Sequence, residues 1–199
     1  PQANIGDIGV VNGVEYTVVD TDMFYEMVSE YGFGDTTKMC TTRVETMELM
    51  GNILDPGSGG STWNEPIGHW DTSNVTNMFF MFFDLYEFNQ DISNWDVSNV
   101  TYMVGMFAYA SAFNSDISDW DVSNVTNMAE MFSPNYTIME FNQDISNWDV
   151  SNVTDMVRMF KDHPSFNQDL SSWDVNNVTS YSSFSFNTPQ WTLPKPNFN

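Results

Sequence analysis

The sequence predicts an α+β repeat solenoid, built of coils that each hold a short strand and a short helix and capped at the N-terminus by a hairpin and a helix. Three observations predict it. The first is a phrase, Trp95-Asp96-Val97-Ser98-Asn99-Val100-Thr101-Tyr102-Met103, that returns in nearly the same form at Trp70, Trp120, Trp148 and Trp173. The second is its spacing: the tryptophans lie 25, 25, 28 and 25 residues apart, a period that belongs to repeat arrays. The third is that one unit holds too little apolar surface to fold alone, whereas stacked units bury continuous rows of Trp, Phe, Met and Val.

Residues 1–43 precede the repeat and read as its N-terminal cap. Asn12-Gly13 stands between Ile8-Gly9-Val10-Val11 and Val14-Glu15-Tyr16-Thr17-Val18-Val19, the pattern of a two-residue hairpin turn. Asp20-Thr21-Asp22 can cap a helix, Met23, Phe24, Met27 and Tyr31 recur at helical spacing, and Gly32 is expected to stop it. This helix is expected to cover the open end of the array.

Residues 44–184 read as about six coils, one degenerate and five clear. Val44 to Met50 matches part of the phrase and is followed by a loop insertion, Asp55-Pro56-Gly57-Ser58-Gly59-Gly60-Ser61. Coils then begin near residues 67, 92, 117, 145 and 170, and the long interval places a surface loop in residues 133–140. Within a coil a short strand is expected around Trp95 to Val97. Val100, Met103, Met106 and Phe107, at i, i+3, i+6 and i+7, suggest about two helical turns, and Phe113 closes the coil. Tyr181 and Phe184 replace two methionines in the last coil. Residues 185–199 contain Pro189, Pro194 and Pro196, which argue for a C-terminal cap or a linker rather than another coil.

The order Ile92-x-x-Trp95-x-Val97-x-Asn99-Val100-x-x-Met103-x-x-Met106-Phe107 resembles a leucine-rich repeat shortened by one residue. The longer phrase Phe-Asn-Gln-Asp-Ile-Ser-Asn-Trp-Asp-Val-Ser-Asn-Val-Thr, at Phe88 to Thr101 and again at Phe141 to Thr154, is similar to the BspA-like surface-protein repeats of Bacteroidetes, mycoplasmas, Vibrio and some protists. The Asn12-Gly13 hairpin, Lys38 to Thr41 and Trp191 to Pro196 resemble the flanks of such domains in flavobacterial secreted proteins. The resemblance implies an extracellular, non-enzymatic protein, secreted or displayed on the cell surface, with adhesion as the commonest proposed role. The Gly57 to Gly60 insertion and the Tyr181/Phe184 coil depart from the simple members.

Charge narrows the partners. With 27 acidic and 5 basic residues the formal charge is −22, which repels phosphate backbones and anionic lipid. Cations, carbohydrate, protein or copies of the chain itself remain. No apolar run reaches 18 residues and Pro1-Gln2 does not resemble a signal peptide, so a mature protein or a cut segment is expected, with no membrane insertion. Cys40 is the sole cysteine, which leaves no internal disulfide and no cysteine zinc site; a buried thiol is the expectation.

Two aspartate sets repeat with the coils: Asp91, Asp116, Asp144 and Asp169 in one, and Asp71, Asp96, Asp121, Asp149 and Asp174 in the other. Stacked at strand spacing, about 4.8 Å, each set becomes a column of like charge. One reading has one carboxylate per coil accepting backbone N–H groups in Asx turns while the other is solvated. The other has calcium held by the Asp91, Asp116, Asp144 and Asp169 column, although the glycine-rich nonapeptide of calcium β-rolls is absent. No other cofactor is expected. A polar periodic face carrying Asn94, Asp96, Asp119, Asp121, Asn147, Asp149, Ser172 and Asp174 is the expected binding surface.

Asn74, Asn99, Asn124, Asn152 and Asn177 each open an Asn-Val-Thr sequon. By likeness to leucine-rich repeats they are expected to point inward and bond backbone. Asn135, in the inserted loop, is the glycosylation candidate. His69 and His163 are the only histidines, and neither stands beside a plausible nucleophile. The reading is therefore a non-enzymatic adhesion or binding module presenting a polar acidic face to glycan or protein. The alternative is the structural subunit of an extracellular fibre, joined end to end.

Overall fold

In a computed structural model of the chain, which describes residues 3–31, 38–51, 62–134 and 138–198, the N-terminal segment forms a three-stranded sheet and one helix. Strand β1 (Ile8–Val11) turns at Asn12-Gly13 into β2 (Val14–Asp20), with Val11 opposite Val14. Both turn residues have positive φ, 51° and 82°, as a two-residue hairpin requires, and Asn and Gly are the residues that adopt that geometry at least cost. Helix α1 (Thr21–Tyr31) follows, its first turn capped by Asp20 Oδ1, which accepts the Met23 N–H at 3.0 Å. Phe24 and Val28 of α1 are buried, and Phe24 meets Trp70 edge-on at 5.3 Å. The expected stop at Gly32 and the insertion at residues 55–61 lie outside the described residues.

Strand β3 (Met39–Arg43) pairs parallel with β2, giving the order β1-β2-β3. It meets the repeats through the Thr41 hydroxyl, which donates to Asp71 O at 3.0 Å, as the Thr72 hydroxyl donates to Asp96 O at 2.9 Å. Cys40 sits here half-exposed, its sulfur 3.5 Å from the Thr42 hydroxyl. The expectation of a buried thiol is corrected: on β3 the side chains of Met39 and Thr41 face the core and Cys40 lies between them.

Each repeat unit is hydrogen-bonded to the next. Parallel bridges join Thr46 to Asn77, Asn77 to Tyr102, Tyr102 to Asn127, Asn127 to Asp155 and Asp155 to Ser180. After each bridge residue, alternate N–H groups donate forward. Met78, Phe80, Phe82 and Asp84 give theirs to the carbonyls of Tyr102, Val104, Met106 and Ala108, at 2.9 to 3.0 Å. The intervening N–H groups turn back on their own unit, as from Met81 to Met78 O.

This pattern corrects the expectation of helical turns over Val100 to Phe107. Those residues form successive turns with a left-handed residue three places after each bridge: Leu49, Phe80, Gly105, Glu130, Arg158 and Ser183, with φ between 49° and 59°. The turns bury apolar side chains at nearly the pitch of a helix while freeing backbone for the neighbouring unit. The strand-like pairing of that unit is likewise at Tyr102 rather than at Trp95 to Val97.

The core runs through all the units as aromatic stacks. One row is Trp63, Phe88, Phe113, Phe141 and Phe166, with ring centroids 5.8 to 6.1 Å apart. A second is Phe82, Phe107, Phe132 and Phe160, at 5.5 to 5.7 Å. The indole Nε1 of Trp95, Trp120, Trp148 and Trp173 donates to the carbonyl of Ile67, Ile92, Ile117 and Ile145, one unit back. Each of these four tryptophans thereby satisfies its polar atom in the act of stacking.

Gly105 alone among the left-handed positions lacks a side chain, because a Cβ there would lie 2.0 Å from the Phe80 ring of the preceding unit. Gly105→Ala is expected to cost about 1–2 kcal/mol for the left-handed backbone and more for displacing the ring. Urea denaturation should show a smaller cost in a Phe80→Ala background. An equal cost would mean that the ring imposes nothing.

Candidate functional site

Both aspartate sets are built into Asx turns. In the first, Asp91 Oδ1 accepts the N–H and hydroxyl of Ser93 at 3.0 and 2.6 Å, and Asp169 does the same with Ser171. Asp116 and Asp144 accept the N–H of Ser118 and Ser146, both at 3.0 Å. In the second, Asp71, Asp96, Asp121, Asp149 and Asp174 accept the N–H of the residue two places on, at 3.0 to 3.1 Å. The reading in which only one carboxylate per coil is so used is therefore corrected to two. The local cause is the sequence Asp-x-Ser, or Asp-x-Asn at Asp174, whose donors lie where a short carboxylate reaches them.

These donors stabilise the charged form. The Ser93 side chain, then its amide, holds Asp91 below the usual carboxylate range, and serines act likewise on Asp71, Asp149 and Asp169. At Asp116 the Ser118 side chain and amide also win, and repulsion from Asp91 is the smallest opposing cause. The like-charged columns are tolerated because each carboxylate is satisfied by its own unit.

Among the described residues no three His, Cys, Asp or Glu side chains gather in a way that could hold a metal ion. The Asp91, Asp116, Asp144 and Asp169 column offers single carboxylates, one from each unit. Thermal melts with millimolar calcium and then with chelator are expected to coincide. A rise in melting temperature with calcium would show that the column recruits the ion between units.

The eight residues of the expected binding face are all exposed: Asn94, Asp96, Asp119, Asp121, Asn147, Asp149, Ser172 and Asp174 flank the buried tryptophans in four successive units. Asp96, Asp121, Asp149 and Asp174 use Oδ1 for their turn bonds, and the second oxygen of each accepts no hydrogen bond from the described residues. His69 occupies the same repeat position as Asn94 and is exposed, its ring 5.6 Å from that of Tyr16.

The sequon asparagines do bond backbone, but from the surface. Nδ2 of Asn74, Asn99, Asn124, Asn152 and Asn177 donates one unit back, to the carbonyls of Thr42, Ser73, Ser98, Ser123 and Ser151, at 2.6 to 2.8 Å. All five are exposed rather than inward. Asn135 lies outside the described residues. Sequence reasoning passed over a second row: Asn64, Asn89, Asn114, Asn142 and Asn167 each accept, through Oδ1, an N–H of the following unit at 2.7 to 3.0 Å. Its signal was the recurrent Phe-Asn.

Among the described residues no helix is long and apolar enough to cross a membrane. No curated protein and no solved structure matches the chain. One family model matches it twice, over residues 19–140 and 135–198, which together take in every repeat. The chain belongs to the family described as Mycoplasma protein of unknown function, DUF285.

Proposed function

We propose that the units form a leucine-rich-repeat-like solenoid of the BspA-like kind, and that it acts outside the cell, secreted or surface-bound, as a non-enzymatic adhesion module. The observation that carries the reading is the exposed polar face. Four successive units present an uncommitted carboxylate oxygen beside a second polar side chain, a linear array suited to the hydroxyls of an extended glycan or the main chain of a protein. The C-terminal residues support a discrete module. Trp191 is buried, its Nε1 donates to Gln168 O at 2.9 Å, and the Tyr181 and Phe198 rings stack at 4.5 Å.

A glycan array probed with the protein and with the quadruple variant Asn94→Ala, Asp119→Ala, Asn147→Ala, Ser172→Ala tests this. Binding that the variant loses while keeping its melting temperature supports the face as the site. Binding that the variant retains removes those four side chains from the proposal and leaves only the turn carboxylates to carry it.

The second reading, a subunit joined end to end, has a separate support. Of the eleven large apolar side chains that are exposed among the described residues, five lie in residues 5–14 and three in residues 181–193. Exposed apolar surface gathered at two ends marks interaction sites more often than scattered single residues do.

A further inference from the structure

The forward hydrogen bonds give the repeat a polarity. After the bridge in every described unit the N–H groups of the alternate positions face the next unit and the carbonyls between them face the one before, while the threonine just before the bridge bonds the other way, as Thr101 N–H does to Thr76 O. Five successive junctions obey this rule, with N···O distances of 2.7 to 3.1 Å. In the last unit the equivalent N–H groups belong to Tyr181, Ser183, Ser185 and Asn187, and none has an acceptor among the described residues. That end is a row of bare donors. Beside it lies a hollow of about 350 Å³ lined by Ser183, Ser185, Phe186 and Lys195 among others.

The opposite end is built differently. There α1 covers the first unit, and the Tyr25 hydroxyl donates to Glu48 O at 2.8 Å. The outermost element is β1, an edge strand with all four residues exposed. The alternation of an antiparallel pair, in the register Val11 opposite Val14, directs the N–H and C=O of Ile8 and Val10 away from β2. Those two carbonyls are acceptors for a donor row. Charge agrees: residues 1–31 carry six acidic side chains and no basic one, whereas residues 156–199 carry three of each in a chain of net charge −22.

We propose that the C-terminal unit of one copy docks the N-terminal hairpin of a second copy, head to tail. The proposal rests on the end-to-end reading and names its surfaces. Two C-terminal ends would set donor row against donor row, and two hairpins would bring the Glu15 and Asp20 carboxylates of both copies together. The mixed contact pairs the donor row with the β1 carbonyls and brings Lys195 to a hairpin whose charged side chains, Glu15 and Asp20, are both acidic, whereas two β1 edges could pair only by setting like charges side by side. Such a contact is heterologous, and it propagates unless it closes into a ring.

Sedimentation velocity of the full chain over a concentration series tests it, with Val10→Lys and Phe186→Asp as variants. Both side chains are more than 60% exposed, so the fold is expected to survive, and far-UV circular dichroism checks it. The wild type is expected to grow beyond a dimer with concentration, and each variant alone to remain a monomer. An equimolar mixture should give a species of two chains and no larger, since one intact hairpin and one intact C-terminal unit remain. A wild type that stays monomeric throughout overturns the proposal and leaves the polar-face reading standing. A Phe186→Asp variant that still dimerises overturns it in favour of hairpin-to-hairpin pairing.

Discussion

Replacing Phe107 by alanine is expected to destabilise the protein by about 3–5 kcal/mol, the range for emptying an aromatic site in a packed core. Phe107 is fully buried and belongs to two sets of contacts at once. Along the array its ring stacks on Phe82 at 5.5 Å and on Phe132 at 5.7 Å; within its own unit it stacks on Phe113 at 3.8 Å. The backbone on either side is fixed by inter-unit bonds, from Phe107 to Met131 O and from Phe82 to Met106 O. The site therefore has little freedom to collapse onto the cavity. In an array held by nearest-neighbour contacts such damage uncouples the units on its two sides. Urea denaturation followed separately by tryptophan fluorescence and far-UV circular dichroism should show a lower midpoint and, for the variant, two transitions that no longer coincide. A single transition shifted by less than about 1 kcal/mol would mean that the ring contributes less than the area it buries predicts on its own.

How much of this was legible in the sequence depends on what kind of signal each element leaves. The tryptophan period, the Asn12-Gly13 turn, the capped start of α1 and the burial of the Met and Phe positions were readable, because each is set by residue type at fixed spacing. Strand β3 was not. Its partner β2 lies some twenty residues earlier across α1, and Met39-Cys40-Thr41-Thr42-Arg43 has no turn signal beside it. The segment after each bridge misled for a definite reason: Val100, Met103, Met106 and Phe107 are spaced as on a helix, yet the backbone alternates in hand. A glycine at every left-handed position would have betrayed it, but only Gly105 is one; Phe80, Glu130 and Arg158 hold the same φ without advertising it. Of the candidate site, the aspartate turns were half readable from Asp-x-Ser. The polarity of the ladder was not readable at all, since it follows from backbone direction rather than from side chains.

The largest pH effect is expected from His163, which stands in the polar run Lys161-Asp162-His163-Pro164. It occupies the position of Leu85 and Ala110 in other units and is fully buried, with the Phe160 and Phe166 rings 6.2 and 5.8 Å away. Nδ1 accepts the main-chain N–H of Phe166 at 3.1 Å and of Ser165 at 3.3 Å, and buried Nε2 has no partner among the described residues. An imidazole so placed is held neutral: burial pushes its pKa down from 6.5 to about 3. The unfolded chain takes up the proton first, so the stability this residue contributes is complete above about pH 6.5 and is lost as the pH falls toward the folded value. The slope approaches about 1.4 kcal/mol per pH unit. The aspartates with lowered pKa lose their contribution only below their ordinary value of 3.8, so the window from pH 7.5 to 5 belongs to the histidine. Relief of the overall negative charge on acidification acts on wild type and variant alike and cancels in their difference. His163→Leu removes the proton uptake together with an acceptor for two amides, the second being a loss that does not vary with pH. The unfolding free energy of wild type minus His163→Leu, from urea melts, is therefore expected to fall by about 2 kcal/mol between pH 7.5 and 5. A difference that stays constant over that window would place the imidazole in contact with water and remove burial as the cause of its neutrality.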